Sequence, residues 1–303
     1  MGAARLIALD WGSTRLRAFL LGDGGEVLAT RQSGDGAATL SGAEAYARAL
    51  AALVGDWRAE RPGVKLLACG MVGSQYGWRE APYVRCPADA AALAARVLPL
   101  DERFSIVPGL VDDAARPDVM RGEETQIVGA LALHPELADD AVLVLPGTHA
   151  KWARVQGGRV TGFATHMTGE LFALLRQHSV LNRLMPADGS SPASPEAFLQ
   201  GVAAAAEEGG LGHQLFAVRT LGLFQRLASE QLPDYLSGLL IGHEITRELR
   251  AAAPRIALVG DPALCARYAR ALAHLGRPAP LQLDNTAPAG LWRLAHTMDP
   301  TRC

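Results

Sequence analysis

A chain of 303 residues, 49% apolar and 20% charged, has material for one large or two ordinary domains and an ample core. Its net charge of −2 removes any electrostatic case for nucleic acid, where clustered basic residues are expected. No run approaches the roughly 18 apolar residues of a membrane span, and the opening MGAARLIALDWGST lacks signal-peptide anatomy, so a cytoplasmic protein without a membrane or nucleic-acid partner is expected.

The first predicted strand is Arg5–Asp10, an apolar run ending in an acid, followed by a turn at WGST. Leu16–Leu21 and Glu26–Thr30 are two further strands, and Asp23-Gly24-Gly25 between them is a hairpin turn. Ser41 and Glu44 have the spacing of a capping box, which predicts a helix to about Arg58. A buried strand over Val64–Cys69 ends at Gly70. A helix led by Met120–Thr125 runs to about His134, where Pro135 stops it.

The same order then begins again. Ala141–Leu145 is an apolar run, Gly147-Thr148 its turn, Lys151–Val155 a strand, Gln156-Gly157-Gly158 a hairpin turn and Val160–Thr165 a third strand. A helix is predicted from Gly169 through Leu184. Placing Gly12-Ser13 on Gly147-Thr148 brings Gly25 close to Gly158, which marks an internal repeat too long for a solenoid and predicts two related lobes, at 1–118 and 119–303. Pro186–Pro195 is an exposed Pro/Ser loop, and Ser194-Pro195 reads as an N-cap and first helical residue. Helices near His213–Ser229 and Tyr235–Ala251, a strand at Arg255–Val259, a helix from Pro262, a short strand at Leu281–Leu283 and a helix over Ala289–Met298 complete the chain.

Nucleotide phosphates need backbone N–H groups and short side chains that allow close approach. Gly12-Ser13-Thr14 and Gly147-Thr148 meet that need at matching places of the repeat. Asp10, at the strand end before the first turn, can hold Mg²⁺ directly or through its waters. Taken singly, each turn reads as an ordinary hairpin; the pair is the stronger signal. No P-loop, dinucleotide-binding glycine motif or nucleophile elbow competes with it. Glu123 and Glu124 follow Arg121-Gly122 at a helix start, where a carboxylate can accept a hydroxyl proton or merely complement the helix dipole. Lys151 is one of only two lysines beside 27 arginines; it either offsets charge beside the second turn or faces solvent. The loop from Gly70 through Met71, Ser74 and Trp78 either suits the wall of a sugar pocket or is a merely structural loop. Gly260, between a strand and a helix, is a candidate adenosine turn. The scattered Cys69, Cys86, Cys265 and Cys303 argue against disulfides and zinc, and His243-Glu244 lacks the second histidine of a zinc motif.

The segments IALDWGSTRLRA (7–18), GMVGSQYGW (70–78), MRGEETQIVGA (120–130), LPGTHAKW (145–152), MTGEL (167–171) and SGLLIG (237–242) together resemble the 2-dehydro-3-deoxygalactonokinase family, sugar-acid kinases. The resemblance implies an α/β, actin-like ATPase (ribonuclease H-like) fold with two duplicated lobes and a central cleft for ATP and Mg²⁺. It implies transfer of the γ-phosphate to the 6-hydroxyl of 2-dehydro-3-deoxy-D-galactonate. Asp10, Gly12, Ser13 and Thr14 fall in the first phosphate motif, Gly147, Thr148 and Lys151 in the second, with Gly238 and Gly260 on the nucleotide side. Gly70, Met71, Ser74, Trp78 and Arg121 fall on the acceptor side. Related sugar kinases carry a catalytic Asp where this chain has Glu123, so either Glu123 or Glu124 is the base. A homodimer is admitted. The alternatives are a kinase for another sugar or sugar acid, a phosphatase acting on nucleotide polyphosphates and a non-catalytic actin-like ATP switch.

Overall fold

The computed structural model describes residues 5–114, 116–186, 193–249 and 255–298. Most of the expected Pro/Ser loop (187–192) and Cys303 lie outside the described residues. The chain divides into two compact units. One comprises Met1–Ala141, Ala153–Phe163 and Leu283–Cys303; the other comprises Val142–Trp152 and Ala164–Gln282.

The opening apolar run forms β1 (Leu6–Trp11), buried along its whole length. It lacks polar alternation because it is a central strand, antiparallel to β2 (Leu16–Leu21) on one side and parallel to β4 (Lys65–Gly70) on the other. Between them in sequence come β3 (Val27–Ser33), an edge strand with mostly exposed side chains, and α1 (Ala43–Glu60). After β4 the chain makes β5 (Tyr83–Arg85), α2 (Ala90–Ala94), β6 (Leu98–Pro99), β7 (Phe104–Ile106), β8 (Gly109–Asp112), β9 (Asp118–Met120) and α3 (Glu123–Leu133). The main sheet runs β3-β2-β1-β4-β7-β6, and β5-β8-β9 form a small separate sheet. Leu50, Val54 and Trp57 of α1 pack with Ile7, Leu9 and Trp11 of β1 in one buried core.

The repeat then appears as β10 (Asp140–Leu145), β11 (Ala150–Gln156), β12 (Arg159–His166) and α4 (Thr168–His178). Helices α5 (Pro195–Ala204), α6 (Leu211–Leu223) and α7 (Leu232–Glu248) follow, then β13 (Arg255–Val259), α8 (Pro262–His274), β14 (Leu281–Leu283) and α9 (Ala287–Met298). The second sheet runs β12-β11-β10-β13-β14. Both large sheets therefore start third-second-first-fourth, the signature of one supersecondary unit used twice. Ser194 caps α5 as expected, its hydroxyl accepting the Ala197 N–H at 3.4 Å.

Helix α9 packs on α3. At the crossing, a Cβ on Gly290 would lie 1.9 Å from the Thr125 carbonyl oxygen, and one on Gly129 would lie 2.0 Å from that of Thr286. Only glycine permits so close an approach of two backbones, and Thr286 adds a hydroxyl bond to the Gln126 carbonyl at 2.6 Å.

Three local expectations are corrected. The Ser41–Glu44 capping box does not form: the N-cap of α1 is Gly42, at φ +76°, with no side-chain cap. The helix expected through Leu184 ends at His178, because Ser179 turns extended and its hydroxyl accepts the Leu181 N–H to start a separate short turn. The helix expected over His213–Ser229 stops at Leu223, with Gln225 in the left-handed region at φ +54°.

Candidate active site

In the first unit the site grows from the carboxyl ends of β1 and β4. Pairing places Asp10 opposite Arg17 on β2 and beside Cys69 on β4. Asp10 is buried, and its Oδ2 accepts a hydrogen bond from the Arg17 guanidinium at 2.6 Å. Burial pushes the Asp10 carboxyl above its ordinary value, against the lowering pull of Arg17. The turn after it is held by its own backbone: Gly12 N–H donates to Arg15, while the Gly12 and Ser13 carbonyls accept from Ala37 and Ala38. Ser13 and Thr14 stand exposed at the tip.

A glycine contact brings α3 to this strand end. Gly122 sits at φ +110°, and a Cβ there would lie 3.1 Å from the Gly70 Cα. Both glutamates fold back onto the helix start. Glu123 Oε2 accepts the Arg121 N–H at 3.0 Å, and Glu124 Oε2 accepts the Gly122 N–H at 2.6 Å. Glu124 Oε1 accepts the Thr125 hydroxyl at 2.9 Å. Glu124 is 1% exposed, whereas Glu123 is half-buried. Burial first, and the neighbouring Glu123 charge second, push Glu124 up to about 7. The buried Cys69 thiol is raised by burial and then by the nearby Asp10 and Glu124 carboxylates, which places these three groups together.

The residues expected on the acceptor side divide. Trp78, partly buried, packs against the core, stacked on Tyr46 at 5.7 Å and edge-on to Phe104 at 5.4 Å, and Met71 packs against the same core. The exposed aromatic of this loop is Tyr76 (86%). Ser74 is buried. Arg121 lies over the Tyr83 ring at 4.3 Å and donates from Nη2 to the Ala81 carbonyl at 2.8 Å; its Nε and Nη1 are buried without hydrogen-bond partners among the described residues.

In the second unit, the Gly147-Thr148 turn joins β10 to β11. Lys151 is buried rather than solvent-facing, with Nζ donating to Thr165 Oγ1 at 2.8 Å. The first turn of α4 abuts the Gly147-Thr148 turn: a Cβ on Gly169 would lie 2.5 Å from the Gly147 oxygen, and the Glu170 N–H donates to Thr148 at 3.0 Å. His149 and Glu170 are hydrogen-bonded beside it. A cavity of about 510 Å³ opens there, bounded by Gly147, Thr148, Thr168, Ser237, Ile241 and Tyr268 among others. Gly260 follows β13, near the Pro146 carbonyl, and Asp261 rather than a second glycine caps α8. Gly238 faces α5, where a Cβ would meet the Phe198 oxygen at 1.9 Å, so helix packing accounts for it.

Sequence reading missed Arg17, the cross-strand partner of Asp10, and Glu244. Strand pairing could have found the first, because Asp10 and Arg17 flank a tight turn symmetrically. Nothing local could have found the second, whose partners are 24 to 92 residues away.

Asp10 fits one part of a Mg²⁺ site. Such an ion usually takes one or two carboxylates plus substrate phosphates and waters, and Arg17 holds only Oδ2. Among the described residues no three His, Cys, Asp or Glu side chains gather as a metal cage.

A family model described as 2-keto-3-deoxy-galactonokinase matches residues 10–294. The 2-dehydro-3-deoxygalactonokinase of Escherichia coli (strain K12) is 38% identical over 299 residues, 97% of this chain and 99% of that relative. A Rhizobium meliloti (strain 1021) relative described by the same enzyme name is 36% identical over 97% of each chain. A crystal structure from Sinorhizobium meliloti, again described by that name, superposes with a TM-score of 0.84 at 35% identity, covering 97% of this chain and 99% of that one. Component A of (R)-2-hydroxyglutaryl-CoA dehydratase from Acidaminococcus fermentans, at 14% identity and a TM-score of 0.51 over 97% of this chain and 99% of its own, shares the fold alone. The fold is that of the actin-like ATPases.

Proposed function

The chain belongs to the 2-keto-3-deoxy-galactonokinase family, and from that premise we propose that it transfers the γ-phosphoryl group of ATP to the 6-hydroxyl of 2-dehydro-3-deoxy-D-galactonate, a step of galactonate breakdown. The observation that carries this reading is 38% identity to the E. coli kinase over 97% of this chain, joined to Asp10 near the end of β1 and to Glu123 and Glu124 at the head of α3.

Phosphoryl transfer asks the protein for positioning and charge stabilisation more than for covalent chemistry. ATP with Mg²⁺ supplies the phosphoryl group and neutralises its developing charge. Asp10 is the residue for the ion, with Oδ1 left for it or one of its waters. The turns at Gly12–Thr14 and Gly147–Thr148 offer backbone donors to phosphates. Glu123 is the base: it is partly accessible, whereas Glu124 has both oxygens engaged and is closed to solvent. Reach comes before pKa in choosing a general base. Arg121, a buried cation with two nitrogens that find no hydrogen-bond partner among the described residues, suits the carboxylate of the sugar acid. The lobes 1–118 and 119–303 and a cytoplasmic location belong to the same reading; no helix among the described residues is long and apolar enough to cross a membrane. So does a homodimer, in which a second copy covers Phe216, Leu223 and Phe224, exposed at 55, 51 and 75%. Light scattering should then give twice the chain mass; a monomer at micromolar concentration removes that part.

The deciding assay is ADP release from Mg-ATP with 2-dehydro-3-deoxy-D-galactonate, its gluconate epimer, or a set of aldoses. Strong stimulation by the galactonate compound alone, with one phosphate incorporated per ADP, is expected. Stimulation by another acceptor only keeps the kinase and discards the substrate. Phosphate release without any acceptor points to the phosphatase alternative.

A further inference from the structure

Glu244 is 2% exposed on the inner face of α7 and has no role in the chemistry described above. Three side chains donate to it. Trp152 Nε1 of β11 reaches Oε1 at 2.5 Å, the Tyr268 hydroxyl of α8 lies 3.0 Å from Oε1 and 2.9 Å from Oε2, and the Thr168 hydroxyl donates to Oε2. Burial of a carboxylate is costly, and such a group is retained only where its lone pairs are satisfied. Here the donors come from three different elements, so one carboxylate ties β11, α4 and α8 together.

One of those ties leads to the second phosphate turn. Thr168 is the first residue of α4. The next, Gly169, is in backbone contact with Gly147, and the Glu170 N–H is bonded to the Thr148 carbonyl. Thr168 and Tyr268 also bound the cavity at that turn. A carboxylate that fixes the Thr168 hydroxyl therefore fixes the first turn of α4, and through it the backbone of Gly147-Thr148.

We propose that Glu244 is a positioning residue, which holds the Gly147-Thr148 turn in its phosphate-binding shape through Thr168. The proposal rests on the reading of that turn as a phosphate site. It requires that losing the Glu244–Thr168 bond weaken ligands in proportion to their phosphates, leaving a nucleoside without phosphates almost unaffected. A hydrogen bond to a charged group is worth enough locally to change affinity about tenfold when removed.

The experiment is calorimetric binding of ADP and of adenosine to the full-length protein and to Thr168→Val, Thr168→Ser and Glu244→Gln, with melting temperatures recorded alongside. Thr168→Val keeps the side-chain volume and loses only the hydroxyl. Its Kd for ADP should rise about tenfold, with adenosine changed less than about twofold. Thr168→Ser should recover most of the ADP affinity, and Glu244→Gln should shift ADP in the same direction as Thr168→Val. Unchanged ADP binding in Thr168→Val overturns the proposal. So does an equal loss of ADP and adenosine accompanied by a lower melting temperature, because it marks general loosening. If the unaltered protein binds ADP no better than adenosine, the fault lies in the reading of the turn as a phosphate site.

Discussion

Glu123→Gln should lower kcat by about two to four orders of magnitude, the usual contribution of a general base, while the KM of the acceptor changes little. The amide keeps the shape of the side chain and can still accept the Arg121 N–H through its oxygen. It loses the ability to take a proton from the acceptor hydroxyl. Steady-state kinetics at saturating ATP check this. A variant with near-wild-type turnover removes Glu123 as the base, and the same substitution at Glu124 then becomes the decisive one. A raised KM with unchanged kcat instead marks Glu123 as a binding group.

Glu124→Gln should behave differently, with its first effect on stability and its pH dependence. The folded carboxyl sits at about 7, above its ordinary value of 4.5. Between these values the folded state keeps a proton that the unfolded chain releases. Stability is therefore lost as pH rises from about 4.5 to 7, by about 3 kcal/mol in all for this group. A glutamine is neutral throughout, accepts the Gly122 N–H through its oxygen and donates to Thr125. Thermal melts of both proteins at pH 5 and pH 8 check the sign: the variant should gain on the parent at pH 8 and lose that advantage at pH 5. Comparing two chains at each pH cancels the contributions of Asp10 and Glu244, which burial also raises. An equal difference at both values would mean that Glu124 holds its proton, or lacks it, across the whole range.

The legible parts of this fold were those with strong local signals. The hairpin at Gly157-Gly158 was marked by two glycines, both of which adopt positive φ. The repeated order of strand, turn, strand, hairpin and strand announced two sheets of like topology, and the structure has them. The small sheet was not legible, because β5 and β9 have three residues each and too short a run to show a period. Ser41 and Glu44 have capping-box spacing, yet Gly42 takes the cap, since its positive φ sets a chain direction that no other residue readily adopts. In the sequence Trp78 suits a pocket wall, because an aromatic in a loop after a buried strand can sit close to a ligand; the stack with Tyr46 shows a competing use of the same ring. Glu244 follows His243 without the second histidine of a zinc motif, so its sequence context assigns it no chemistry. Its role depends on Trp152, Thr168 and Tyr268, which share no sequence pattern.

The crossing of α3 and α9 also has a consequence for how the protein is made. A ribosome releases Glu123–Leu133 long before it releases Ala287–Met298, yet each helix supplies the glycine that admits the other's backbone. Until the last of these is synthesised, α3 lacks the helix that packs on it at the glycine crossing, although β1–β9 are already free to pair. The earliest residues to emerge are thus among the last to be finished, and vectorial synthesis cannot complete the first unit ahead of the second. A nascent chain arrested before residue 287 should bind chaperones and yield to protease within α3, and one released past 298 should resist both.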